Sequence, residues 1–376
     1  MLKDKIIQVI LFLFGIKKKE ENVKNYRPTV TVMIPAFNEQ EFILETINNL
    51  KDQTYPIQEI MVVDDHSSDF TGPLARVYGA KVLRTFENTG AKARAQNYGI
   101  DFLTTDVVVM VDADTFLHPK AIEYILPSLA DGKTLSACGF VIPQETGSFW
   151  EKARLVEYLY GIGLFKRAQE HLSIPLVSSG CFSAFNVKLL REIGKFPEGN
   201  IAEDMMLTWT AHIKKKYKVK FVPEAISYPK EPASWKQFKG QALRWYRGFF
   251  QCISMTKKDL PKNFRLSFFI FFYLIMGMLS MFFLTAFLYS IIKGISLGSS
   301  ILGITSFMWV VFVLIELAIG LGAVAYNGKK CGCMKKGLKY YPYLYIISFI
   351  NYGLFLYALY MEWIKGKKLD YWEKGH

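Results

Sequence analysis

From Thr29 onward, short apolar runs alternate with longer amphipathic ones. Residues 29–34, 59–63, 80–83 and 107–111 have the length and composition of strands. Residues 40–53 and 91–102 carry helical patterns, and a further helix fits between the second and third strands. Strands that alternate with helices predict an α/β domain with a mostly parallel sheet covered on both faces. Three of these strands run out into polar clusters: Pro35-Ala36-Phe37-Asn38-Glu39, Asp64-Asp65-His66-Ser67 and Asp112-Ala113-Asp114. Open α/β sheets bind ligands at the carboxyl ends of their strands, so these clusters mark the expected site. Residues 132–251 are more irregular, with helix-like and strand-like pieces in mixed order.

The pattern changes at Leu266. Residues 266–292, 301–326 and 342–364 are almost wholly apolar, and a bilayer needs about 20 such residues per helix. Three C-terminal transmembrane helices are therefore expected. The apolar run 6–16 is too short to span and lies between lysines; it reads as an amphipathic helix in the membrane interface. The expected organisation is an interfacial helix and linker over 1–27, a catalytic domain over 28–232, interfacial helices over 233–265, and membrane helices with a tail over 266–376.

Composition supports a membrane protein. Hydrophobic residues make up 51% of the chain and aromatics 15%. The net charge of +13 is carried by lysines beside apolar segments, as at Lys17-Lys18-Lys19 and Lys335-Lys336. That placement suits an anionic membrane surface and not nucleic acid. The loop 327–340 holds five lysines, whereas the loop between the first two spans holds only Lys293. The positive-inside rule then places the loop 327–340 and the catalytic domain in the cytoplasm of a multi-pass cell-membrane protein. The lysines of the tail, Lys365, Lys367, Lys368 and Lys374, run against that topology. Five cysteines without a repeated spacing give no disulfide framework, and Cys331-Gly-Cys333 lacks further ligands for a metal.

The chemistry-bearing residues fall in order. Asp112 and Asp114 stand two apart at a strand end, where alternate side chains point the same way. Two hard oxygen ligands suit Mg²⁺ or Mn²⁺ held together with substrate phosphates. Asp64 and Asp65 can accept hydrogen bonds from a base or ribose, or cap a turn. Pro35, Phe37 and Glu39 form the adjacent wall. Lys92 opens a helix after Gly90 and can face phosphate. Glu203 and Asp204 precede an apolar helical run and either cap it or take a proton from an acceptor hydroxyl. Gln241, Arg244 and Trp245 share one helical face, where Arg suits a diphosphate and Trp a sugar ring.

The order Asp64-Asp65, Asp112-x-Asp114, Glu203-Asp204, Gln241-x-x-Arg244-Trp245 resembles family 2 glycosyltransferases. It is most similar to the membrane branch that includes poly-N-acetylglucosamine, hyaluronan, chitin and cellulose synthases, with ceramide glucosyltransferases related. The resemblance spans roughly residues 28–255. It implies a Rossmann-like GT-A fold, a UDP-sugar donor, Mg²⁺ or Mn²⁺, and inversion at the anomeric carbon. It further implies Asp65 at the uridine, Asp112 at the nucleotide, Asp114 at the metal and Asp204 as general base. Gln241, Arg244 and Trp245 would border the diphosphate and the acceptor sugar, and Gly180 belongs to a small-residue segment near the acceptor. The expected function is transfer of a hexose or N-acetylhexosamine to a growing polysaccharide. Fewer spans than polysaccharide synthases carry makes a lipid acceptor, glycolipid or polyprenyl phosphate, the rival. A non-catalytic membrane scaffold is the alternative of another class. The expected partners are the donor, the glycan or lipid acceptor and the bilayer, with a second copy or a membrane subunit compatible, and no nucleic acid.

Overall fold

The computed structural model describes residues 26–275, 300–301 and 304–367. The expected interfacial helix at 6–16 and most of the expected span 266–292 lie outside the described residues. β1 (Val30–Ala36), β2 (Glu59–Asp64), β3 (Lys81–Arg84) and β4 (Val107–Val111) are joined by helices α1 (Ile43–Lys51), α2 (Thr71–Val77) and α3 (Lys92–Asp101). β5 (Thr115–Leu117) and α4 (Ala121–Ile125) lead to β6 (Thr134–Val141) and then to α5 (Phe149–Tyr160) and α6 (Arg167–His171). β7 (Phe182–Asn186), α7 (Val187–Glu192), α8 (Glu203–Thr210) and β8 (Lys218–Pro229) complete the domain. The eight-stranded sheet has the order β3-β2-β1-β4-β7-β6-β8-β5.

Strand periodicity explains why the sheet is covered twice. Val30, Val32 and Ile34 of β1 pack with Ile43, Ile47 and Leu50 of α1 on one face. Met33 of β1, Val63 of β2 and Met110 of β4 pack with Ala93 and Ile100 of α3 on the other. Successive side chains of a strand point to opposite faces, so a run apolar at every position must be buried on both.

The mostly parallel sheet expected from the alternating pattern holds for β3-β2-β1-β4, which pair in parallel. Beyond β4 the sheet is mixed: β7 runs antiparallel to β4 and β6, and β5 antiparallel to β8. The physical reason is that the irregular region brings its strands in without the helix crossover that parallel neighbours require. The consequence is functional. Val111 pairs with Phe182, so the start of β7 lies against the end of β4. Residues 179–181 are thereby delivered to the site.

Beyond the sheet, α9 (Trp235–Thr256) starts at a capping box in which Ser234 and Gln237 satisfy each other's backbone donors. The chain continues through α10 (Phe264–Ile275), α11 (Ser306–Lys330), α12 (Met334–Tyr340) and α13 (Tyr343–Leu359), the last extended by a wider turn to Ile364. Polar links fasten this layer to the domain. Asn327 Nδ2 on α11 donates to Leu159 O on α5 at 3.1 Å. Glu362 accepts from Arg247 of α9 at 2.7 Å and from Gln251 at 3.2 Å. Among the described residues one helix, Tyr343–Ile364, meets the length and apolarity needed to cross a membrane with its side chains described. Its outer face leaves Tyr345, Ile346, Phe349 and Ile364 exposed.

Gly139 sits where the pairing of β6 with β8 shifts register. A Cβ there would lie 2.1 Å from Ala225 O and 2.6 Å from the Phe182 ring. Gly139→Ala is expected to lose about 2 kcal/mol of stability, measured by denaturant unfolding. A neutral substitution would show that the β6–β8 contact can yield.

Candidate active site

The Asp112-Ala113-Asp114 segment leaves β4 as a turn. Thr115 N donates to Asp112 O at 3.1 Å, which bends the chain back into β5. The strand-like side-by-side presentation of the two carboxylates expected from the sequence is therefore replaced by a turn. Asp112 N donates to Cys181 O at 3.3 Å. Asp114 O accepts from Gln144 Nε2 at 2.8 Å and from Lys230 N at 3.2 Å. The turn is thus fixed from both sides by hydrogen bonds to its own main chain.

Lys92, the first residue of α3, is the hub. Its ammonium pairs with Asp112 Oδ1, donates to Gly180 O at 3.3 Å and lies 4.0 Å from Glu203 Oε1. Gly180 N in turn donates to Asp204 Oδ2 at 2.9 Å. The Gly180 peptide is held between a cation and a carboxylate. A Cβ there would stand 3.1 Å from Asp204 Oδ2. Burial works against the charge of Lys92, but Asp112, Glu203 and Asp204 outweigh it and raise its pKa above the ordinary lysine value. Burial raises the pKa of Glu203, with Lys92 and Arg244 pulling it back down. Burial likewise pushes the Cys181 thiol up to about 12.

The second-strand acids divide. Asp64 is fully buried; its Oδ1 accepts from Ser67 N at 2.9 Å and its Oδ2 from Arg84 at 2.6 Å. The Arg84 ion pair on a carboxylate with no exposed surface favours, for Asp64, the turn-holding role that the sequence had left as an alternative. Asp65 accepts from Thr89 N at 3.0 Å and Thr89 Oγ1 at 2.9 Å, and so ties the end of β2 to the turn before α3. Pro35 and Phe37 lie half-buried at the end of β1, and Glu39 is buried with its backbone N–H donating to Thr71.

On α9, Gln241 and Trp245 face α5. Gln241 Oε1 accepts from Arg154 at 2.7 Å, and its Nε2 donates to Glu231 Oε2 at 3.3 Å. The Arg154 guanidinium lies 4.6 Å from the centre of the Trp245 ring. Arg244 is half-buried and close enough to Glu203 to affect its titration. Arg154, Tyr158 and Glu231 form no part of the site read from the sequence. Tyr158 donates to Glu231 Oε1 at 2.7 Å. Burial raises the pKa of Glu231 to about 7, with Arg154 drawing it down. Two signals in the sequence mark these residues: a Glu between Pro229-Lys230 and Pro232 at a strand end, and Arg154, Glu157 and Tyr158 at helical spacing.

Among the described residues no three His, Cys, Asp or Glu side chains gather as a metal cage. Two carboxylates at one turn fit a hard cation that takes its remaining ligands from a diphosphate and water. Charge argues the same way, because a diphosphate approaching Asp112, Glu203 and Asp204 meets like charge that Lys92 and Arg244 only partly offset.

An α/β sheet with acids at the ends of β2 and β4, the latter joined through Lys92 to a third acidic pair, fits a glycosyltransferase-type domain of GT-A fold. Residues 31–194 match the model of glycosyl transferase family 2, and the chain carries a domain of that family. The chain is 30% identical over 239 residues to the poly-beta-1,6-N-acetyl-D-glucosamine synthase of Staphylococcus aureus, covering 62% of this chain and 57% of the relative. The Staphylococcus epidermidis protein of the same name is 28% identical over 251 residues, 63% of this chain and 60% of the relative. The chain thus spans under two thirds of the length of these relatives. Among solved structures, a mannosyltransferase of Pyrobaculum calidifontis, in complex with GDP-Man and Mn²⁺, superposes with a TM-score of 0.61. That match has 19% identity and covers 89% of this chain and 94% of the other, so the likeness is one of fold.

Lys92→Met is expected to cost about 2 kcal/mol at pH 7, less than a fully buried pair, because Asp112 is partly solvated. Without the ammonium, the deficit shrinks as pH falls and Glu203, whose pKa is already raised, takes up a proton. In the unsubstituted protein the Lys92 contribution is fully present below the ordinary lysine pKa and is lost only as pH rises through the higher folded value. Thermal melting of both forms across pH checks the sign. A deficit that grows on acidification contradicts this charge balance.

Proposed function

We propose that the chain is a membrane-bound, inverting glycosyltransferase that moves an N-acetylhexosamine or hexose from a UDP-sugar to a growing polysaccharide. The observation that carries this reading is the convergence on Lys92 of Asp112, Gly180, Glu203 and Asp204 from three further segments of the chain. Domain membership and the product named for the curated relatives favour sugar transfer, and among donors UDP-N-acetylglucosamine. Asp65 is assigned to the uridine, Asp112 to the nucleotide, and Gln241, Arg244 and Trp245 to the diphosphate and acceptor. Pro35, Phe37 and Glu39 are assigned to the wall of the nucleotide pocket.

In this reading the acceptor hydroxyl attacks the anomeric carbon from the face opposite the diphosphate. The new C–O bond forms as the bond to the diphosphate breaks, and UDP leaves. Asp204 receives the hydroxyl proton. Its Oδ2 is already aimed by Gly180 N. Lys92 balances part of the charge of the neighbouring Glu203, and the raised pKa of that buried carboxyl lessens the negative charge that the donor meets. Asp114, with Asp112, would hold a divalent cation, which would supply Lewis-acid neutralisation of the leaving diphosphate. Residues 28–232 form the catalytic domain, residues 233–265 the interfacial helices and residues 266–376 the membrane helices and tail, with catalysis on the cytoplasmic face. Transfer of a single sugar to a lipid is the second reading. It is favoured by the seating of α9, which carries Trp245, against α13 with its exposed apolar face.

Membranes carrying the chain are expected to release UDP from UDP-N-acetylglucosamine with Mg²⁺ or Mn²⁺ and to lose that activity in chelator. Asp204→Asn should keep UDP binding and lower turnover by at least about 100-fold. Turnover in chelator removes the metal assignment, and full turnover of Asp204→Asn removes the base. A long product on sizing supports the polymer, whereas a lipid bearing one sugar supports the second reading.

A further inference from the structure

Arg154 is a buried cation that none of these assignments uses. It is 1% exposed, on α5, with its guanidinium 4.4 Å from the Phe238 ring centre and 4.6 Å from that of Trp245. One NH₂ donates to Gln241 and the other to Glu157 Oε2, each at 2.7 Å. Glu157 Oε1 accepts from Asn351 of α13 at 2.8 Å. A continuous polar chain therefore runs from the last apolar helix, through Asn351, Glu157 and Arg154, to the helix that carries Gln241 and Trp245.

Stability alone is a weak reason for this arrangement. A buried ion pair generally adds little over well-packed apolar side chains of the same volume. Direction is what it adds. The guanidinium is planar, so one face can cover an aromatic ring while its edge bonds an amide and a carboxylate. An ammonium has three donors but no plane, so it cannot lay a flat face over a ring while bonding both groups along one edge. Trp245 is 37% exposed, so the covered side of its ring is fixed while part of it stays accessible.

We propose that Arg154 is a positioning residue that locks Gln241 and Trp245 into one orientation, and that Glu157 and Asn351 make this orientation depend on the seating of α13. The acceptor side of the site is thereby set by the apolar helix and the donor side by the sheet. This inference rests on the proposed function for its kinetic consequence, but not for its geometry.

Arg154→Lys keeps the charge and loses the plane. With UDP-N-acetylglucosamine as donor it is expected to lower kcat on the order of 10-fold, as misplacement of a positioning group does. KM for the donor and affinity for UDP should stay within about 2-fold, which separates loss of positioning from loss of binding. Combined with Trp245→Phe, it should cost less than the sum of the two single losses, because part of its effect passes through that ring. Asn351→Leu, which leaves Arg154 intact, should lower kcat in the same direction by a smaller factor. A second readout needs no turnover. The tryptophan emission lost on Trp245→Phe should be quenched by acrylamide more readily in the Arg154→Lys background. Wild-type kcat in Arg154→Lys, equal loss of UDP affinity, additive losses in the double variant, or unchanged quenching overturns the inference. Absence of UDP release by the unsubstituted chain overturns the functional reading instead, and quenching then decides the inference.

Discussion

The Lys92 ammonium, enclosed by Asp112, Glu203 and Asp204, sets the terms for the rest of the site. Carboxylates placed this close in a partly buried pocket repel one another, and without a cation burial would drive some of them neutral. Lys92 can sit there because it is the first residue of α3, whose helix is pinned to the sheet by Ala93 and Ile100 in the core. Its donation to Gly180 O extends the same control to the loop before β7. One side chain thus joins the ends of three structural units, and its charge is matched to the acids around it.

That arrangement depends on a topological detail. Had β7 entered parallel to β4, its amino end would lie at the opposite edge of the sheet from Asp112. The antiparallel pairing brings Cys181 O to Asp112 N and Gly180 to Lys92 and Asp204. The absence of a side chain at Gly180 matters for the same reason, since a Cβ would press on Asp204. Packing, topology and charge act on the same few ångströms.

The second half of the pocket has a different foundation. α9 rests on α5 and α13, and its polar residues are held by buried charges: Arg154 and Glu231 at Gln241 on one side, Glu362 at Arg247 on the other. Directional contacts of this kind specify how two apolar layers sit, where apolar packing alone tolerates sliding. Through Arg154 and Glu157, one of these links runs from α13 to the helix that carries Gln241 and Trp245.

The strands β1 to β4, their helices and the strand-end clusters were legible in the sequence because local periodicity reports which faces must be buried. The motif residues were legible because their side chains are chemically unusual where they stand. Asp64 illustrates the limit: nothing in the order Asp64-Asp65 tells which carboxylate turns inward to Arg84 and which reaches Thr89. The placement of the Asp112-Ala113-Asp114 turn against Cys181 and Lys230 and the reversal of β7 were likewise decided by contacts between segments far apart in the chain. Arg154 and Glu231 gain their meaning only from a partner on another element: Gln241 lies 87 residues from Arg154 and 10 from Glu231. The sequence by itself determined the class of domain, the alternating elements and the identity of the acids at the strand ends, all of which follow from local pattern. Only the tertiary structure decided which of those acids share a cation and which helix positions Trp245, because charge balance and ring stacking exist only once distant segments meet.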